Sequence, residues 1–98
     1  MATLVLTASP AEGQAEALGP LVQAGQDLLV AAGGRPVKRL RVTTTIVGAA
    51  GTGPVLVMDF DSAEAITAVL ASDEWQAGAP IRAKVLSNVQ LLITEDLG

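Results

Sequence analysis

The residues able to do chemistry in this chain are few, because it contains no His, Cys or Tyr. Without these, the sequence lacks an imidazole titrating near neutrality and a thiolate nucleophile. What remains is Trp75, the lone tryptophan, a basic run of Arg35, Lys38, Arg39 and Arg41, the isolated Arg82, and Asp59 with Asp61 two residues on. A guanidinium grips carboxylates and phosphates through a planar fork, so Arg41 and Arg82 are candidate holders of an anionic group. Trp75 can line a pocket and position an aromatic ligand. Its plainer role is to anchor a short helix on the core, with the indole N–H on a backbone carbonyl. Asp59 and Asp61 share a face of a continuing strand, where two carboxylates can hold a hard cation or act as an acid/base pair. Ion pairs across a hairpin and a helix cap at Asp61 account for them more simply, and neither a metal nor a cofactor is expected. The candidate ligand-binding set is therefore Trp75, Arg82, Arg41 and Asp59; no catalytic residue is assigned.

The elements that must position these groups follow from periodicity. Thr3 to Ala8 is a β-branched and aliphatic run closed by Ser9-Pro10, a first strand. Leu18, Leu21, Val22, Gly25, Leu29 and Ala32 then recur at helical spacing, with Glu16, Gln23, Gln26 and Asp27 outside the stripe. Gly33-Gly34 stops this helix, and Pro20 either lies in its first turn or kinks it. Arg35 to Val47 predicts a long second strand, with Leu40, Val42, Thr44 and Ile46 on one face and Arg39, Arg41, Thr43 and Thr45 on the other. Closing the hairpin evenly sets Thr43 opposite Asp59 and Arg41 opposite Asp61.

The loop Gly48 to Pro54 lacks the Gly-Lys-Ser/Thr of a phosphate loop and joins two strands. Val55 to Phe60 is a buried third strand. Asp61-Ser62-Ala63-Glu64 has capping-box spacing, with Asp61 as the cap. Ile66, Val69 and Leu70 supply the buried stripe of a second helix. Ser72 caps a further turn through Trp75, which Gly78-Ala79-Pro80 ends. Ile81 to Leu86 predicts a last short helix, and Asn88 to Glu95 the fourth strand.

Composition narrows the classes of function. A net charge of −4 opposes a nucleic-acid footprint, which needs a dense basic surface. Half the residues are apolar, which excludes disorder, and no run approaches the length of a membrane span. Met1 to Thr7 has no basic region of the kind that opens a secretion signal. A soluble cytoplasmic protein is expected, with residues 1–98 forming one domain.

The predicted order β-α-β-β-α-β is the ferredoxin-like arrangement, an α+β fold with two helices over one face of a four-stranded antiparallel sheet. The other face would carry Val5, Val55, Val57 and Leu92 among Thr3, Thr7, Arg39, Arg41 and Thr45. It is too apolar for bulk water and too polar for a core, and a two-fold partner sheet suits it.

At the level of motifs, the chain resembles a group of small bacterial proteins of unknown function within the dimeric α/β-barrel superfamily. The likeness rests on Gly33-Gly34-Arg35, on Ser62-Ala63-Glu64-Ala65, on Ser72, Glu74, Trp75 and Gln76, and on Pro80-Ile81-Arg82. It implies a homodimer with a cavity between sheet and helices in each subunit. Wider relatives include cofactor-independent monooxygenases, haem-degrading enzymes and isomerases, whose sites often rely on a His or Tyr that this chain lacks. The expectation is a homodimer binding a small organic molecule. The alternatives are a cofactor-independent monooxygenase- or isomerase-like enzyme, or a purely structural dimer module.

Overall fold

The computed structural model describes residues 1–48 and 53–98. The chain runs β1 (Ala2–Pro10), α1 (Ala15–Ala31), β2 (Arg35–Arg41), β3 (Pro54–Phe60), α2 (Ala63–Leu70), α3 (Asp73–Ala77), α4 (Ala79–Val85) and β4 (Leu86–Thr94). The strands form one antiparallel sheet in the order β2-β3-β1-β4. This is the ferredoxin-like order expected from the sequence, with the second helical segment broken into three.

Alternation along the central strands builds the core. Leu56, Met58 and Phe60 are buried toward the helices, and Val55, Val57 and Asp59 alternate with them on the other face. Leu4 lies beside Met58, and with Phe60, Leu29, Ile66 and Trp75 they form a single apolar cluster. Burying each of the larger side chains contributes about 1.5–3 kcal/mol.

Helix α1 starts three residues before Leu18, so Pro20 lies beyond its first turn, inside the helix. Proline in its interior forfeits one backbone hydrogen bond, which packing of the apolar stripe must offset. Gly33, at φ +104°, ends the helix as anticipated. Its neighbour Gly34 is crowded: a Cβ there would sit 2.8 Å from both Leu29 O and Phe60 Cζ.

Several expectations are revised. Strand β2 stops at Arg41, where Val42 N–H bonds Gly53 O at 3.1 Å, and Thr43 to Thr45 are not strand. The connection is therefore longer than an even hairpin allows. Asp59 faces Arg35 rather than Thr43, and Arg41 faces Pro54 rather than Asp61. Residues 49–52 of the glycine-rich loop lie outside the described residues.

The register also shifts between Pro36 and Lys38. That bulge turns Lys38 and Leu40 onto the open face beside Val57 and Val55, and sends Arg39 and Arg41 to the helix side. Arg39 accordingly donates to Gln23 Oε1 of α1 at 3.4 Å. The helix cap moves as well. Ser62, not Asp61, accepts the Ala65 N–H at 3.1 Å, so Glu64 completes no capping box. Asp61 instead meets Arg35 in an exposed ion pair at 3.1 Å. Finally, Gly78 alone separates α3 from α4, and Pro80 stands within the first turn of α4, where its missing N–H costs little.

Candidate functional site

Between the sheet and α1, α3 and α4 lies a small apolar cavity of about 30 Å³, walled by Leu6 and Leu56 from the sheet and Leu29 from α1. Three other side chains lining it carry its possible chemistry: Trp75, Arg82 and Gln26. Each is held by local structure. Ser72 accepts the Trp75 backbone N–H at 3.2 Å and itself donates to Val69 O at 2.6 Å, which sets the first turn of α3 and aims Trp75 inward. The indole is 6% exposed. Its outer ring packs over Gly25, where even a Cβ would lie no closer than 3.8 Å. Among the described residues the indole N–H has no hydrogen-bond acceptor, contrary to the expected bond to a backbone carbonyl.

Arg82 projects from α4 across the indole face, its Cζ 4.4 Å from the ring centroid. Cation–π attraction of about 0.5–2 kcal/mol holds it there. Gly78 makes room for it, since a Cβ at that position would come within 2.5 Å of Arg82 Nη1. Burial lowers the Arg82 pKa from its ordinary value by stripping water from the cation. Among the described residues no carboxylate faces it and its side chain makes no hydrogen bond. Gln26 completes the set: its Oε1 is fully buried without a partner. A buried amide oxygen in that state costs free energy that the fold has not recovered.

The structure therefore brings Trp75 and Arg82 together and leaves the other two sequence candidates elsewhere. Arg41 ends β2, exposed, opposite Pro54. Asp59 lies on the opposite face of the sheet, where Thr3 Oγ1 donates to it at 2.6 Å. Asp59 and Asp61 diverge to separate partners, and among the described residues no group of three or more acidic side chains gathers in one place. Being polar, Gln26 reads from sequence as lying outside the helical stripe. Its spacing from Val22 and Leu29, four before and three after, is that of the buried face and was the available signal.

A second, open groove of about 510 Å³ runs between α1 and α2, lined by Leu28, Ala31, Ala65, Ala68, Val69 and Glu74 among others. It holds none of the candidate residues and few groups that could orient a ligand.

A family of small proteins matches residues 13–97, most of the chain. The chain belongs to the DUF1330 family, a domain of unknown function. No curated protein matches it in sequence. Among solved structures, an Arabidopsis thaliana protein superposes with a TM-score of 0.79 at 17% identity, covering 100% of this chain and 97% of its own. A protein of Nitrosomonas europaea assigned as a candidate antibiotic biosynthesis monooxygenase superposes at 0.74 with 14% identity, over 100% of both chains. An uncharacterised NIPSNAP domain protein of Burkholderia xenovorans gives 0.67 at 16% identity, covering 100% of this chain and 96% of its own. At these identities the likeness shows the ferredoxin-like fold alone and nothing of the chemistry. Among the described residues, no helix is long and apolar enough to cross a membrane.

Proposed function

We propose that this DUF1330 protein is a cytoplasmic homodimer that binds a small organic molecule in the cavity under Trp75 and Arg82. The observation that carries the reading is an unpaired guanidinium and an unpaired amide oxygen lining one apolar cavity. A fold that sought only stability would place an aliphatic side chain at Gln26, because an unpartnered buried amide oxygen is a net cost. A ligand donor on Gln26 Oε1 would remove that cost, with the partly exposed Arg82 guanidinium as a second contact at the same cavity.

Dimerisation is supported by the uncovered sheet face. Val57, Val5 and Leu92 stand side by side on three neighbouring strands, forming an apolar row with no helix over it. Strand β4 carries no charge from Leu86 to Thr94 and leaves Leu92 46% exposed. A second copy of the chain would cover both.

The size of the cavity favours the structural-module reading as the alternative, since about 30 Å³ accepts few atoms unless Arg82 swings away. The enzyme reading has less support: the cavity walls include no carboxylate to move a proton. Native mass spectrometry, paired with a metabolite screen read by the emission of Trp75, tests the proposal. The expected result is a dimer that retains a small molecule, or an emission shift with at least one metabolite. A monomer down to low micromolar concentration would remove the dimer; a bare protein whose emission ignores the whole screen would leave the structural module.

A further inference from the structure

The two edges of the sheet are built to opposite rules, and the inference drawn from them rests on the dimer reading above. Strand β2 guards its edge with Arg35, Lys38, Arg39 and Arg41 and with Pro36. Strand β4, at the other edge, carries neither charge nor proline over its 9 residues, and among the described residues no strand pairs with its outer side. A second sheet laid on the open face would cover Leu92 and leave the rest of this strand bare. Leu91 and Ile93 are paired with Leu6 and Leu4, which face the helices, so they stand on the helix side, 37% and 45% exposed. Covering them takes a segment that comes round the edge itself.

Residues 42–47 have the complementary defect. Val42, Thr43, Thr44, Thr45, Ile46 and Val47 are all β-branched and uncharged, the composition of a strand, yet they form none. Their own sheet offers them no neighbour, because Arg41 already faces Pro54, the first residue of β3. Ile46 and Val47 are left 87% and 91% exposed.

We propose that residues 42–47 of one copy add as a further strand to the β4 edge of a second copy, and by two-fold symmetry the reverse. The added strand supplies main-chain partners to the outer side of β4. Alternation sets Ile46 and Val47 on opposite faces, so one reaches the helix side beside Leu91 and Ile93 and the other the open side beside Leu92.

Hydrogen exchange of the whole protein, read by mass spectrometry from dilute to concentrated solution, separates this arrangement from stacking of the sheet faces alone. It follows backbone N–H groups, which face stacking leaves as they were. As the dimer forms, residues 42–47 and 86–94 are expected to slow together by about tenfold or more. Thr44→Pro removes a donor outside any strand of the single chain, so it should raise the dimer dissociation constant about tenfold or more while keeping the fold. The chain has no cysteine, so cross-linking gives a second reading if that variant folds poorly. A short bis-maleimide is expected to join Ile46→Cys in one chain to Leu91→Cys in another, and not to Glu64→Cys on α2. A dimer whose 42–47 and 86–94 amides exchange as in dilute solution, slowing of 86–94 without 42–47, an unchanged dissociation constant in Thr44→Pro, or no cross-link from Ile46→Cys to Leu91→Cys would each overturn the assignment and leave the dimer standing. A monomer at every concentration would overturn both.

Discussion

Helix α1 packs on the same sheet at two places to two different standards. Around Phe60 the fit is so tight that Gly34 has no space for a methyl group, with Leu29 O and Phe60 Cζ at 2.8 Å from where it would be and Met58 Cε at 2.9 Å. Around Gln26 and Gly25, about one turn before Leu29, a void remains, an amide oxygen is unpaired and a Cβ on Gly25 would meet Trp75 at an ordinary 3.8 Å. Interiors pack to crystal-like density where stability is the only requirement. The contrast therefore separates a part of the layer packed to that density from a part that is not.

The sharpest way to break the comparison is at Phe60, which is 0% exposed. Phe60→Ala is expected to cost about 3–5 kcal/mol, read as a lower midpoint in urea at fixed protomer concentration. Gly34→Ala adds a group where there is no room and should cost about 1–3 kcal/mol by the same measurement. At Gln26, within α1, the sign reverses. Gln26→Met replaces an unpaired buried amide with an apolar chain of similar length and should stabilise the protein by about 1 kcal/mol. A loss of stability in Gln26→Met comparable with that at Gly34 would show that both places are packed alike.

Most of the fold was legible because it rests on periodicity. Leu56, Met58 and Phe60 alternate in a strand flanked by a glycine-rich loop and a Ser62 cap, and Ser72 stands three before Trp75, so strand, helix and turn follow one another with little freedom. The convergence of Trp75 and Arg82 was legible for the same reason, since both sit at the start of short helical segments set by Ser72 and Pro80. The faces of β2 were not. They depend on a bulge beside Pro36, a residue that cannot donate to the ladder and tolerates only an edge strand, and nothing in the sequence marks where the register slips. Asp61 and Ser62 are both good caps, and which one serves is decided by backbone geometry after Phe60. Gln26 was missed because a polar residue on a helix reads as solvent-facing until its neighbours are seen.

The bulge in β2 also bears on how sequences of this family can diverge. Smoothing the bulge while keeping Val37 would set Val37 opposite Val57 and carry the charges of Arg39 and Arg41 across the sheet, onto the face where Val57, Val5 and Leu92 stand. A lineage could thus exchange a sticky face for a repelling one through a one-residue slip beside Pro36, leaving every side chain of β1, β3 and β4 as it is.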